Sequence, residues 1–417
     1  MDHHDTEKRV TTMIDHRRLH QSGSSTLFTA FAISFITLIV VTTLVLMSNF
    51  SMQPQRDFSE VKIEIKRVIP HLPLSSEKEG KSNNPIKQET QVMITSPNLN
   101  IKVNEKLQVI EVFSGKNLSE KFQTRVIEFI GKGCEVNFVM TWISSVEFFG
   151  NREVFAIESV FKSHPRGCLM ILSATMDSPQ GYTTLKPFLD RGYKVLAVTP
   201  DLPFLLKGTA GESWLEEIKT GKRDPGKISL AQNLSNLMRL AYLYKYGGVY
   251  LDTDMIVLKS FKGLRNVIGA QTLNPSSTNW TRLNNAVLIF DKNHPLLLKF
   301  IEEFAQTFNG NIWGYNGPYL VSRVARAVEG SSEYNFTVMR PSVFYLVNWL
   351  EIEKFFKVPK TEKDTKWVKI KLGQMQKRSY GLHLWNKFSK KFEIEQGSAM
   401  WRLVSDHCII CEIGSAS

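Results

Sequence analysis

Apolar and polar positions divide the chain into regions of distinct texture. Leu27 to Met47 is almost wholly apolar, and no charged residue occurs between Thr26 and Phe50. At about 1.5 Å per residue this matches one helix across a hydrocarbon core of roughly 30 Å. The run is too long for the apolar part of a cleaved signal peptide, so 27–47 is read as a transmembrane signal anchor and 1–26 as a cytosolic tail. Residues 48–130 mix Pro, Ser, Asn, Lys and Glu with few aromatics, the composition of a solvated luminal stem. From 131 to 417 apolar runs alternate with amphipathic stretches, which predicts an α/β catalytic domain with mostly parallel strands. Buried strands are predicted at 136–142, 168–173 and 193–198, with a helix over 152–164 between the first two. Leu230, Leu234, Leu237, Ala241 and Tyr244 share the spacing of one helix face, with Gln232, Asn236 and Arg239 opposite them. Gly247 and Gly248 end that helix, and Val249–Leu251 begins the next strand.

A chain of 417 residues, 42% hydrophobic, is long enough for a large enzyme core, and its net charge of +12 suits an anionic partner such as a nucleotide sugar. Lys and Arg are spread along the chain, and neither zinc-finger ligand pairs nor a ribonucleoprotein signature occurs, which excludes nucleic acid. Basic residues balance across the apolar run, with Lys8, Arg9, Arg17 and Arg18 before it and Arg56, Lys62, Lys66 and Arg67 after it. Orientation therefore rests on the acceptor sequons at Asn117, Asn233, Asn279 and Asn335, which place the carboxy-terminal side in the lumen. The sequon at Asn233 lies on a helix predicted to be packed, where modification is not expected. Cys134, Cys168, Cys408 and Cys411 all follow the span, so an oxidising lumen allows two disulfides in three connectivities, with Cys134–Cys168 preferred. The Cys408/Cys411 pair also has the spacing of half a zinc site, but the other half is missing.

The chemistry concentrates in Leu251-Asp252-Thr253-Asp254. Residues i and i+2 of an extended chain point the same way, so both carboxylates can face one ligand. Two adjacent acids repel unless a cation lies between them, and a hard divalent ion with open positions also takes phosphate oxygens. A nucleotide diphosphate sugar is such a ligand, and the ion would act as a Lewis acid on its leaving diphosphate. Two solvated acids in a turn are the bland alternative, but the helix, glycine pair and strand directly before them form one contiguous constellation. A strand followed by DxD also opens phosphatases that form an aspartyl phosphate, but there the second acid is followed two residues later by Thr or Val, and here Met255 and Ile256 follow it.

The stretch ISLAQNLSNLMRLAYLYKYGGVYLDTDMIVLK resembles the central motif of glycosyltransferase family 32. LNNAVLIF, FNGNIWGYNGPYLVSRV and YGLHLWNK resemble segments of its alpha-1,4-glycosyltransferase branch, and the similarity covers roughly 135–410. The resemblance implies a GT-A type fold, a single mixed, mostly parallel sheet flanked by helices, in a retaining enzyme that uses Mn2+ or Mg2+. It implies a UDP-sugar donor, with galactose the first guess, and a glycan or glycolipid acceptor. It also implies a single-pass type II place in the Golgi membrane, where complexes with other glycosyltransferases are a further partner class. Position by position, Asp254 resembles the direct metal ligand, Asp252 the acid that contacts ribose or donor sugar and helps hold the ion, and His383 the late residue that completes the metal or diphosphate site. Trp142, Asn236, Arg239 and Tyr250 fall at donor-binding positions, where Thr141 and Trp142 end the first strand beside the base. Asn236 stands where the family commonly has Asp; an amide still hydrogen-bonds but carries no charge. That departure sustains an alternative, a catalytically degenerate transferase acting as a sugar-binding or complex-forming scaffold. Asn284 and Asn285 resemble residues lining the cleft where donor and acceptor meet. Trp313, Gly317 and Pro318 lie in a turn that offers a sugar an apolar face. No catalytic base stands out, and Asn316 and Asp291 are the polar cleft candidates for catalysis.

Overall fold

A computed structural model describes residues 108–115 and 118–410. The expected tail, the span at 27–47 and the stem up to residue 107 lie outside the described residues. Among the described residues no helix is long and apolar enough to cross a membrane. All of them belong to one compact unit.

The principal helices are α1 Leu118–Ile130, α2 Asn151–Ser163, α3 Pro179–Leu189, α4 Ala210–Lys219, α5 Leu230–Tyr246, α6 Pro295–Thr307, α7 Pro318–Ala327, α8 Glu362–Arg378 and α9 Ala399–His407. The strands are β1 Asn137–Thr141, β2 Cys168–Leu172, β3 Lys194–Val198, β4 Gly248–Leu251, β5 Met255–Val257, β6 Val267–Leu273, β7 Trp280–Phe290, β8 Thr337–Met339 and β9 Gly381–His383. Seven of them form one sheet in the order β3-β2-β1-β4-β7-β6-β8. β3, β2, β1 and β4 are parallel, β7 runs antiparallel to β4 and β6, and β8 is parallel to β6. The sheet is thus mixed and mostly parallel, as the sequence predicts. The expectation of a single sheet needs one correction, because β5 and β9 pair antiparallel in a separate two-stranded ribbon. Strands of three residues give no periodic signal, so this pairing is set by tertiary contacts alone.

The first strands read as continuous apolar runs because both faces of the sheet are covered. Val139, Met170 and Leu172 point into one core with Phe122, Trp214, Leu234, Phe300 and Leu320 from α1, α4, α5, α6 and α7. Phe138, Met140, Leu169 and Ile171 point into the other, with Phe155, Phe188, Val368 and Leu403 from α2, α3, α8 and α9. Ile110, Phe113 and the α1 residues Phe122, Val126 and Phe129 are part of the first core, so the boundary placed at 131 moves toward the amino terminus. The amphipathic face of α1 is short enough to read as stem when its neighbours are polar.

The glycine pair between α5 and β4 is sterically required. Gly247 and Gly248 have φ of 71° and 109°, and a Cβ would lie 2.6 Å from Lys292 N and 2.6 Å from Asn137 O respectively. Cys134 and Cys168 form the preferred disulfide, tying the segment after α1 to the start of β2. Cys408 is also disulfide-bonded, and Cys411 lies outside the described residues.

α1 is also fixed electrostatically. Arg125 donates to both Asp177 carboxylate oxygens at 2.8 and 3.0 Å, and Thr199 donates to Asp177 from its backbone N–H and hydroxyl, each at 2.8 Å. Burial pushes the Asp177 carboxyl up, but Arg125 and Thr199 together overcome this and hold it below the usual carboxylate range. A folded-state pKa below the unfolded value adds stability at neutral pH that is lost as pH falls through the folded value. Chemical denaturation of the wild type should therefore show a loss of stability below about pH 4, and Asp177→Asn should flatten that slope. An unchanged slope in the variant would remove this pair from the account of acid stability.

Candidate active site

β4 lies parallel to β1 and ends at Leu251, so Asp252-Thr253-Asp254 emerges at the carboxyl end of the parallel strands, where open α/β sheets hold ligands. The two acids occupy a turn rather than the extended chain expected. Asp252 N donates to Ala286 O at 2.9 Å and Met255 N to Asp252 O at 3.0 Å, after which β5 pairs with β9 and places Met255 opposite His383. The turn and the ribbon together bring one ligand atom each from Asp252, Asp254 and His383 within 4.8 Å of one another.

The two carboxylates are held differently. Asp254 is 8% exposed. One of its oxygens accepts from Asn386 N at 2.8 Å, the other lies 3.2 Å from His383 Nε2, and its main-chain oxygen accepts from Leu384 N at 2.9 Å. Burial pushes the Asp254 carboxyl up, but His383 and the Asn386 N–H outweigh it and hold the group ionised below its ordinary range. For His383 burial pushes the imidazole down, and Asp254 and then Asp252 more than reverse it. Asp252 is more open. Its Oδ1 accepts from Tyr250 Oη at 2.7 Å and lies 2.9 Å from Arg239 Nη1.

Behind Asp252 a polar network joins four elements. Arg239 on α5 donates to Asn285 O at 2.8 Å, to Ser235 Oγ at 2.9 Å and to Ser235 O at 3.1 Å, with its guanidinium 4.3 Å above the Tyr250 ring. Thr141 Oγ1 lies 2.6 Å from Ser235 Oγ and 2.9 Å from Tyr250 Oη. Burial is the first cause that pushes the Tyr250 phenol far above its ordinary value, so it stays neutral and can donate to Asp252. The polar side of α5 is therefore buried at Asn236 and Arg239, whereas Gln232 is exposed and takes no part.

Asn236 Oδ1 accepts from Asn285 Nδ2 at 2.8 Å, and a Cβ on Gly317 would lie 2.9 Å from that same Oδ1, so Gly317 permits the loop to rest on Asn236. Asn284 and Asn285 do not act as a pair, because successive strand residues face opposite ways. Asn285 reaches α5, while Asn284 accepts from Ala286 N and donates to Gln271 Oε1, each at 2.9 Å. Pro318 is the first residue of α7. Trp313 is 47% exposed, with Lys387 Nζ 3.4 Å from its ring centre. Trp142 donates its indole N–H to Ser145 O at 3.1 Å and packs edge-on against Phe149, which leaves it half-buried at the end of β1.

Two of the expected catalytic residues are corrected. Asp291 follows β7 at the end paired with Gly248, the amino end of β4, so it leaves the site by about four residues, roughly 13 Å of strand. There it accepts from Arg265 at 2.6 Å and Asn266 at 3.0 Å. The cause is the antiparallel course of β7, which enters the site with Asn284 and Asn285 and departs toward Asp291. Asn316 is 2% exposed and its amide is fully engaged, donating to Asn233 Oδ1 and Asn309 O and accepting from Asn309 N. It pins the 309–317 loop to α5 and is a positioning residue.

Several neighbours had no sequence signal. Trp385 adopts φ 57°, a left-handed conformation rare for a bulky residue, and this turn aims Asn386 N at Asp254. Asn386 Nδ2 in turn donates to Glu153 Oε1 at 3.2 Å; burial and then, among weaker causes, the Asp254 charge push that carboxyl up, while its own and the Gly150 backbone N–H pull it down. Tyr345 is 3% exposed with its ring 5.8 Å from that of His383, and its hydroxyl makes no well-aligned hydrogen bond among the described residues, with the Val287 backbone N–H its nearest donor contact. Tyr345→Phe removes a buried hydroxyl that lacks a well-aligned bond, so stability should hold or rise by up to about 1 kcal/mol in urea titration. A loss of more than about 1 kcal/mol would mean that the hydroxyl is bonded in solution.

Residues 150–274 match the family described as a glycosyltransferase sugar-binding region containing a DXD motif, and residues 289–412 match the alpha 1,4-glycosyltransferase conserved region. The lactosylceramide 4-alpha-galactosyltransferase of Pongo pygmaeus is 30% identical over 217 residues, which is 50% of this chain and 91% of the relative. A human alpha-1,4-N-acetylglucosaminyltransferase is 29% identical over 252 residues, covering 57% of this chain and 67% of the relative. An uncharacterized Arabidopsis thaliana protein is 30% identical over 287 residues, 67% of this chain; the match spans only 42% of that relative's length.

Proposed function

Because the chain belongs to the glycosyltransferases that join a DXD sugar-binding region to an alpha-1,4-glycosyltransferase region, and is a hexosyltransferase, we propose that it moves a hexose from a UDP-sugar to a glycan or glycolipid. Transfer is with retention on a GT-A type domain, in a type II Golgi membrane protein anchored by 27–47. The observation that carries the reading is the convergence of Asp252, Asp254 and His383 at the carboxyl end of the sheet.

These residues fit a divalent cation. Asp254 is an ionised carboxylate buried against a single imidazole, and two carboxylates with one imidazole suit Mn2+ and accommodate Mg2+. Asp252, Asp254 and His383 would hold the ion, which supplies Lewis-acid neutralisation of the leaving diphosphate. The rest is the work of the chain. Arg239 and Tyr250 fix the direction of Asp252, and the Asn386 N–H fixes Asp254. Thr141 and Trp142 border the base position. Asn236 and Asn285 present amides to donor hydroxyls, and Trp313 offers an aromatic face to the acceptor. With Asp291 removed from the site and the Asn316 amide engaged, no side chain is assigned as base, and the departing phosphate takes the acceptor proton.

The relatives are named for galactose and N-acetylglucosamine transfer, so UDP-galactose and UDP-N-acetylglucosamine head the donor panel. The test is donor hydrolysis and transfer by the purified chain with Mn2+ across nucleotide sugars. Failure to consume or bind any donor overturns the proposal. Asn236, whose oxygen is already bonded to Asn285, sustains the scaffold alternative; tight Mn2+-dependent UDP binding without turnover would select it.

A further inference from the structure

The first turn of α2 carries two charged side chains whose bonds leave the helix. Glu153 is its third residue, and Oε2 accepts from the Gly150 N–H at 3.0 Å, as in a capping box. A cap asks no more of the side chain than that oxygen. Yet Oε1 accepts from Asn386 Nδ2 at 3.2 Å, 233 positions along the chain, and Glu153 is only 9% exposed. A carboxylate is seldom withdrawn from water so far unless its bonds are needed.

Arg152 beside it reaches the same distant segment. Its Nη1 donates to Ser389 O at 3.0 Å and to Ser389 Oγ at 3.2 Å, its Nη2 donates to Phe392 O, and its guanidinium lies 4.6 Å from the centre of the Phe356 ring. Two adjacent residues of one helical turn thus grip both ends of the short helix Asn386–Ser389. The main-chain N–H that opens this helix is the one that donates to Asp254 at 2.8 Å. Just before it Trp385 stands at φ 57°, and strain of this kind persists only where the surroundings over-determine it. The Trp385 indole is held by Val347 O at 2.9 Å and lies 4.2 Å from the His383 ring. Arg152 and Glu153 supply the restraint on the residues that follow.

We propose that Arg152 and Glu153 are positioning residues for the ion cradle. They tie 386–392 to α2, so the Asn386 N–H stays on one Asp254 oxygen and the other is presented beside His383. Neither bonds Asp254 directly; both act through the segment between. The assignment rests on the metal reading of the Asp252/Asp254/His383 site. Outer bonds of this sort typically change metal affinity by about 10–100-fold when removed.

The test reads Mn2+ affinity of the purified full chain with UDP by electron paramagnetic resonance, which needs no turnover. Arg152→Met and Glu153→Met should each weaken Mn2+ binding about tenfold or more. Arg152→Lys, whose single ammonium cannot reproduce the fork, should weaken it about threefold, and it serves if a methionine variant does not fold. kcat for donor hydrolysis at saturating Mn2+ should stay close to wild type in all three, while the Mn2+ concentration giving half the rate rises with the dissociation constant. In an Asn386→Ala background, which keeps the main-chain N–H but lacks the amide, Glu153→Met should weaken binding less than about twofold further. Wild-type Mn2+ affinity in the Arg152 and Glu153 variants overturns the assignment. So does an equal loss from Glu153→Met with and without the Asn386 amide, the result that general loosening of α2 would give. A wild-type chain that binds no Mn2+ refutes the metal reading itself, whereas tight binding by wild type and variants alike refutes only the role given to α2.

Discussion

Asp254→Asn is expected to lower sugar transfer by about a thousandfold or more while leaving the fold intact. The carboxylate is buried, one oxygen accepts from the Asn386 N–H, and the other faces His383 Nε2. An asparagine of the same shape keeps the first contact through its own oxygen. It loses the charge that a divalent cation requires and the field that pushes the His383 imidazole up from its ordinary value. Calorimetric titration of Mn2+ in the presence of UDP should show the loss of metal binding directly, with the unfolding midpoint close to wild type. Near-normal turnover in this variant, at saturating Mn2+, would sink the metal reading and with it the proposed reaction.

Arg239→Met is expected to damage both stability and activity. The guanidinium is 3% exposed and serves Asn285 O, Ser235 and Asp252 at once. Its removal strands the Asn285 carbonyl, at about 1–3 kcal/mol for an unsatisfied buried group, while the Ser235 hydroxyl loses one partner and keeps Thr141. The Asp252 side chain, at 29% exposure, still reaches water, so the full penalty for an abandoned buried charge does not apply. A net loss of about 2–4 kcal/mol in urea denaturation is expected. kcat/KM should fall at least about a hundredfold, because Asp252 is no longer aimed. Arg239→Lys should recover part of the stability and little of the activity, since one ammonium cannot reproduce the fork. Wild-type stability in Arg239→Met would show that the network does not lock β1, α5, β4 and β7 together.

What could be read from the chain follows from burial. β1, β2 and β4 lie inside the sheet and β3 at its edge, all with side chains in the cores on its two faces, so each reads as a mainly apolar run, and α5 has a regular face closed by two obligatory glycines. The clustering of the two acids with His383 was legible because residues that could hold a metal ion are of few types. Direction was not legible. Whether Asp291 falls at the site end or the far end of β7 depends on that strand running antiparallel to β4, which no local pattern states. Asn316 reads the same whether its amide is free or spent on Asn233 and Asn309. Tyr345 and Asn386 reach the site through the irregular segments around 340–350 and 385, the latter by way of a strained tryptophan that propensity would not choose.

Asp254 and the amide that steadies it are separated by 132 positions in the polypeptide. During vectorial synthesis the acidic turn leaves the ribosome long before its imidazole and amide partners do. A nascent or prematurely terminated chain ending before 381 would therefore contain every strand of the large sheet and yet no complete ion cradle. On the proposed metal role, transfer waits until residues 381–386 have been synthesised and packed against Asp254.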